Sequence, residues 1–415
     1  GQVLGVNAMA ALGASDWLNW MILSVIQGFA QGFSILMAQE FGAGHIKRLK
    51  KVVGNAVCLS AICAVVLLIL GESIVVPVLG LLQTPGEIIG QSALYLRIMF
   101  AGIPVVMAYN LLASILRALG DGKAPLHAMI VAAVINIVLD LLFVMGFRWG
   151  IAGAAAATVI AQLSSSIYCY IHIRKVEILS LSREDFRLEK NLDWKLIFLG
   201  LPMALQNAII AVGGMIVQTV VNGFGVIFIA GFTATNKLYG VLEVAATSYG
   251  YAMITYAGQN LGAGKIERIK KGMKSAILVA IATAAIIAVC MLVFGHEILG
   301  CFISGTPEEV EMTMNIAYHY LAIMSICLPI LYILHVVRSA LQGMGDTLLP
   351  MVSGIVEFAM RTGTAILLPM AIGEEGIFYA EILAWMGADA ILVSSYLVRV
   401  KKLDRMNKKE GGWIG

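Results

Sequence analysis

The sequence predicts an all-α polytopic membrane protein made of two pseudo-symmetric helical bundles, and two observations carry that expectation. The first is composition: 60% of the 415 residues are hydrophobic and only 13% are charged, with a mean hydropathy of +0.89. A soluble chain has about a quarter of its residues charged. The second is self-similarity. Gln39-Glu40-Phe41-Gly42-Ala43-Gly44-His45-Ile46-Lys47-Arg48-Leu49-Lys50-Lys51 recurs as Gln259-Asn260-Leu261-Gly262-Ala263-Gly264-Lys265-Ile266-Glu267-Arg268-Ile269-Lys270-Lys271. Thr84-Pro85, Tyr95-Leu96, Pro104, Gly120-Asp121 and Pro125 return in the same order as Thr306-Pro307, Tyr320-Leu321, Pro329, Gly345-Asp346 and Pro350. A repeat this long duplicates a whole multi-helix bundle, far beyond the period of a solenoid, and in an apolar chain it points to transport.

Eleven spanning segments are expected, at roughly 6–39, 47–71, 86–119, 123–146, 151–174, 195–222, 227–259, 268–303, 308–343, 347–371 and 376–400. Several exceed the ~20 residues that cross a bilayer, so they must tilt, bend or project. Thr84-Pro85-Gly86-Glu87 and Thr306-Pro307-Glu308-Glu309 each offer an N-cap threonine, a first-turn proline and a capping-box glutamate. The six cysteines have no metal-ligand spacing and read as small buried apolar side chains. No metal or cofactor is expected beyond a coupling ion.

Lysine and arginine fall on alternate connections. One set holds Lys47–Lys51, Arg117 with Lys123, the stretch from Arg174 to Lys195, Lys265–Lys274 and the tail from Arg399 to Lys409; the connections between them are nearly free of both, with Arg148 the exception. The positive-inside rule then makes the basic connections and the C-terminus cytoplasmic, in a multi-pass protein of the cytoplasmic membrane. The organisation expected is a first lobe over 1–174, a cytoplasmic linker over 175–194 and a second lobe over 195–415. The linker can hold a short interfacial helix anchored by Trp194. Because 195–222 has no counterpart in the first copy, the chain reads as a six-plus-six protein without its opening helix, which puts its N-terminus outside.

The Gln-x-x-Gly-Ala-Gly-x-x-x-Arg-x-Lys-Lys pair, the segment Arg117-Ala-Leu-Gly-Asp-Gly-Lys-Ala-Pro125 and the twofold six-helix plan resemble the multidrug and toxic compound extrusion family. The resemblance covers essentially the whole chain. It implies a secondary antiporter that exchanges Na⁺ or H⁺ for organic, often cationic, drugs, with two lobes forming a V around a central cavity. The glycines of the loop motif read as turn formers and its basic residues as headgroup-level anchors that attract anionic lipid. The two Gly-Asp pairs read as turns with an aspartate cap.

Ionisable residues inside a membrane cost roughly 2.5–3.5 kcal/mol each on insertion scales, so each invites a functional hypothesis. In the first lobe Asn136 and Asp140, four residues apart, share one helix face, and the next helix carries Thr158 and Gln162. Antiparallel pairing about a turn near residue 149 puts Asp140 level with Thr158 and Asn136 level with Gln162. Such oxygen ligands suit Na⁺ at Asp140, and a carboxylate removed from water suits H⁺ equally. Alternatively, Asp140 caps its own helix end. The resemblance implies the same site: the family's first-lobe cation site uses an Asn-x-x-x-Asp pair and a threonine on the following helix, matching Asn136, Asp140 and Thr158. It also uses an aspartate on the first helix, which is not in this sequence.

In the second lobe Lys237, Glu243, Glu357, Arg361, Glu381 and Asp389 stand in apolar segments. Glu357 and Arg361 form an i, i+4 pair, and these charges read as a structural network or as substrate and gating contacts. Tyr109, Gln162, Met203, Gln206, Met215 and Tyr239 are candidate contacts for a forgiving cavity, against ordinary packing as the plain alternative. The expected partners are a small organic cation and membrane lipid, with no nucleic acid, for a monomeric protein. The alternative function is a lipid-linked oligosaccharide flippase, whose cavity needs several cations to meet a pyrophosphate; the first lobe offers Arg97 alone at membrane depth. Six dispersed histidines and the absence of a nucleophile constellation argue against an enzyme.

Overall fold

The computed structural model describes residues 5–81, 84 and 86–409. Its described residues form twelve α-helices and no strand. These are α1 (Gly5–Gly42), α2 (Ile46–Leu81), α3 (Gly86–Ala101), α4 (Ile103–Ala118), α5 (Lys123–Asp140) and α6 (Gly150–Arg174), then α7 (Lys190–Val221), α8 (Val226–Gly262), α9 (Ile266–Gly300), α10 (Pro307–Gly343), α11 (Leu348–Ile372) and α12 (Ala380–Lys409). A π-helical turn, Leu141–Gly146, continues α5, and 3₁₀ turns occupy Glu177–Leu179, Arg183–Phe186, Asn222–Phe224 and Glu374–Tyr379. The chain forms two compact units, Gly1–Ala211 and Val212–Gly415, divided within α7.

Among the described residues nine helices are long and apolar enough to cross a membrane, and the pair α3–α4, bent by 45°, makes a tenth. The eleventh expected segment is α8, long enough at 37 residues but carrying Asn236, Lys237 and Glu243 in its middle. The bend has a local cause. Pro104 sits in the first turn of α4 and Gly102 is its N-cap, so the chain has neither a donor nor a bulky side chain to hold the helix together there. In the second copy Pro329 follows Cys327 instead, and α10 runs through it unbroken.

The duplication extends to individual hydrogen bonds. After α1 the Gly44 amide donates to the Phe41 carbonyl (3.0 Å) and His45 to Glu40 (3.0 Å); after α8, Gly264 donates to Leu261 (3.0 Å) and Lys265 to Asn260 (2.8 Å). Both turns require a left-handed residue, supplied by Gly44 at φ 70° and Gly264 at φ 69°. The two Gly-Asp turns behave as expected: the Asp121 carboxylate accepts from the Lys123 and Ala124 amides, both at 3.0 Å, and Asp346 accepts from Leu349 at 3.2 Å. Thr306 forms its capping box with Glu309. Its counterpart does not, because the buried Thr84 hydroxyl makes no hydrogen bond, while Pro85 lies outside the described residues.

Apolar faces left uncovered mark the surfaces that a bilayer would solvate. On α9, Leu278, Ile286, Val289 and Phe294 are exposed, and only 11% of its most apolar window is buried. A water-soluble monomer does not leave contiguous apolar surface on this scale. The cysteines follow the same division. Cys169 is buried and the half-buried Cys63 and Cys327 pack against the cores of their units, but Cys290 and Cys301 are exposed, so the expectation that all six are buried is corrected for those two.

Inside each unit, small residues set the helix spacing. In the first, α1 meets the start of α7 so closely that a Cβ on Gly28 would lie 2.5 Å from the Ala204 Cα, and the Asn207 amide donates to the Ser24 carbonyl (2.9 Å). In the second, the Thr235 hydroxyl of α8 donates to the Ala317 carbonyl of α10 (2.7 Å) and Tyr332 to Leu242 (3.0 Å). Close backbone approach and side-chain-to-carbonyl bonds replace the hydrophobic drive that lipid does not provide. The segment 175–194 is docked rather than loose: buried Asn55 donates to the Asp185 (3.3 Å) and Arg187 (3.2 Å) carbonyls and accepts from the Glu189 amide (3.0 Å). Gly28→Val should lower the thermal stability of the purified protein by about 1–3 kcal/mol. Gly90→Ala, which meets nothing within 4 Å, should leave it unchanged or raised; equal melting curves for both would refute the close contact.

Candidate functional site

In the first unit α5 and α6 pack side by side. The Ser165 hydroxyl ties the pair by donating to the Ala128 carbonyl at 3.1 Å. On this interface the Asn136 amide donates to the Thr158 hydroxyl at 3.5 Å, and Thr158 in turn donates to the Ala154 carbonyl at 3.0 Å. Asn136, rather than Asp140, is therefore the residue opposite Thr158. The expected register, with Asp140 level with Thr158, is therefore replaced by one in which Asn136 meets Thr158.

Asp140 is the last residue of α5 and leads into the π turn without capping it. Its Oδ1 is buried and accepts no hydrogen bond, so the local-capping alternative does not hold. The Gln162 Oε1 is likewise buried without a partner, one turn from Thr158 on the side away from Asp140. An amide, a hydroxyl and a half-buried carboxylate with one enclosed oxygen thus lie within about a turn of one another, a set of hard oxygen donors that fits Na⁺ and a carboxylate that fits H⁺. Among the other candidates, Tyr109 is half-buried on α4. Met203 and Gln206 are buried at 3% and 2% exposure inside the first unit, where α7 packs on α1. Met215 and Tyr239 belong to the second unit, Tyr239 stacking on Trp385 with ring centres 6.0 Å apart.

The second unit buries a chain of alternating charges. Arg338 of α10 meets the Glu357 carboxylate of α11 at 2.6 Å; the other oxygen of Glu357 accepts from Arg361 at 2.8 Å; Arg361 reaches Glu381 of α12 at 2.6 Å. Glu357, Arg361 and Arg338 are exposed by only 3%, 5% and 7%. Two guanidinium groups and two carboxylates cancel, and each middle member bridges two partners, which is the geometry that lets buried ions repay their desolvation. Glu243 pairs instead with His335, at 3.6 Å. Lys237 is exposed and makes no ion pair among the described residues, so it stands outside the network. Asp389, also on α12, keeps a buried Oδ1 that accepts no hydrogen bond.

Arg338 was not anticipated. One signal pointed to it: Glu357 and Glu381 outnumber Arg361. Elsewhere in the first unit Arg97 finds Glu72 at 3.9 Å, a weak and exposed pair. Glu357→Ala should cost about 3–5 kcal/mol of stability, read from thermal unfolding in detergent, because it strands the buried Arg338 guanidinium and leaves Arg361 with Glu381 alone. A loss below about 1 kcal/mol would mean the network is solvated.

A family model described as MatE matches residues 1–142 and 202–367. The probable multidrug resistance protein YpnP of Bacillus subtilis is 30% identical over 382 residues, covering 91% of this chain and 84% of its own, and YoeA of the same organism, also described as a probable multidrug resistance protein, is 29% identical over 407 residues, covering 96% and 86%. A transporter of the MOP superfamily from Pyrococcus furiosus superposes with a TM-score of 0.90 at 20% identity, over 97% of this chain and 90% of that one. The fold, the repeat and these matches agree, and the chain belongs to the MatE family of multidrug transporters, which are not enzymes.

Proposed function

We propose that the protein exports organic, mainly cationic, compounds across the cytoplasmic membrane in exchange for Na⁺ or H⁺, with its C-terminus on the cytoplasmic side. The observation that carries the ion-coupling part is the buried Asp140 oxygen without a hydrogen bond, beside the Asn136–Thr158 pair. A carboxylate whose enclosed oxygen accepts no hydrogen bond lowers its free energy by taking up a cation, so occupied and empty states differ in charge. Asp140 is also the last α-helical residue before the π turn, so that change acts at a junction between two helical geometries. An ion can bias alternating access only by binding one state better than the other, and a carboxylate at such a junction provides a means of doing so. The alternation of basic and non-basic connections supports the cytoplasmic C-terminus.

The test is efflux of a fluorescent organic cation from proteoliposomes under an imposed Na⁺ or proton gradient. Asp140→Asn should reduce gradient-driven efflux at least about tenfold with the melting temperature unchanged, and Thr158→Val should reduce it less, consistent with loss of one neutral ligand worth about 1 kcal/mol. Efflux at the unmodified rate in Asp140→Asn would remove the carboxylate from the mechanism.

A further inference from the structure

Between the start of α2 and the start of α7 the first unit holds a cleft of about 360 Å³, lined by Lys47, Arg48, Lys51, Lys195, Glu189 and Asn191, with Leu192 beneath. At about 30 Å³ per water-sized group, it has room for about a dozen such groups. Four cations face one carboxylate. Arg48 pairs with Glu40 at 3.0 Å and Lys51 with Glu189 at 2.5 Å, whereas Lys47 and Lys195 have no acidic partner among the described residues. The nearby Asp185 is turned into its own bend, accepting from the Ser182 amide (2.7 Å) and hydroxyl (2.9 Å).

This charge stands at the unfavourable end of a helix. Cations in a first turn oppose the helix dipole by roughly 0.3–1 kcal/mol each, and α2 has no acidic residue there to offset Lys47 and Arg48. Topology alone does not account for it, because the second copy solves the same topological problem differently. There Glu267 occupies the position of Lys47, and Lys270 is held by Glu267 and Asp404, both at 2.7 Å. In the second copy a carboxylate thus stands where Lys47 stands in the first, and it holds Lys270; in the first copy Lys47 and Lys195 face the cleft without an acidic partner among the described residues, a surplus that an anion would complete.

We propose that this cleft binds the phosphate of an anionic phospholipid headgroup. Phosphate suits a site of convergent lysine and arginine donors at a helix start. A lipid, rather than a soluble phosphate, is favoured by the apolar flank beside the cleft: Leu188, Trp194 and Phe198 are all exposed and bracket the lining residues Glu189, Asn191 and Lys195 in the chain. An acyl chain would cover that flank while the headgroup occupies the cleft. Glu189 already provides part of the negative charge, so it competes with the phosphate for Lys51.

Native mass spectrometry of the full chain in detergent tests this, with added phosphatidylglycerol, phosphatidylcholine or inorganic phosphate. The unmodified protein should retain phosphatidylglycerol over phosphatidylcholine, and millimolar inorganic phosphate should leave that preference intact. Lys47→Glu, the residue the second copy carries, combined with Lys195→Gln should reduce the preference at least about tenfold, at about 1 kcal/mol per charge. Glu189→Gln should raise it, an arm that decides the matter even if the double variant folds poorly. An unchanged preference in both variants would overturn the site, and displacement of the lipid by inorganic phosphate would overturn the lipid assignment.

Discussion

Everything in this structure answers to one constraint: a polar group held away from water must find a partner, and a charge must find an opposite charge. The helices satisfy their backbones internally, and their serine and threonine hydroxyls turn back to carbonyls within the helix, as Ser73 does to Ile69 at 2.6 Å. The second unit applies the rule to four charges at once. Glu357 receives a guanidinium on each oxygen, and Arg361 spends its donors on two carboxylates. Asp140 is the contrast, a carboxylate oxygen inside the first unit to which the protein supplies no donor.

The repeat sharpens that contrast. Arg361 lies as far past Pro350 as Asn136 lies past Pro125, so the two occupy equivalent places in the two copies. Where the first copy has a neutral amide with a carboxylate one turn further on, the second has a permanent cation with its carboxylate one turn earlier. The turn geometry has been retained almost bond for bond between the copies, as the Gly44 and Gly264 turns demonstrate. The polar interior has not. Backbone turns are fixed by sterics that both copies share, whereas each interior charge has only to balance its own surroundings.

That distinction also decides what was legible in the sequence. Helix positions, the repeat, the glycine turns and the Asp121 and Asp346 caps followed from local rules of hydropathy, capping and φ preference, and the structure has them. The break at Gly102 did not emerge, because Pro104 and Pro329 look alike until the residue two before each is considered. Asn136 and Thr158 were legible as neighbours, but their register was not. The Glu357–Arg361 pair was legible from its spacing, and Glu381 was expected in the same network; Arg338 joins it from another helix, which spacing along one helix does not reveal. Lys237 was expected in the network and is not there, for the same reason: sharing a bundle does not fix the direction of a side chain.

The two units therefore differ in what an ion can do to them. The charge chain of the second is neutral, each of its carboxylates meeting a guanidinium, and a cation entering it must first break a buried pair at a cost of about 3–5 kcal/mol. Asp140 has no such partner to surrender. Under the exchange reading, the ion's differential binding energy thus falls on the first unit, while the buried ladder of the second maintains the spacing of α10, α11 and α12 whatever the ion does. The copies thus differ in how their charges are met: the second links two guanidinium groups and two carboxylates in one buried chain, with an Asp389 oxygen left undonated beside it, while the first has Asp140 with no ion pair among the described residues.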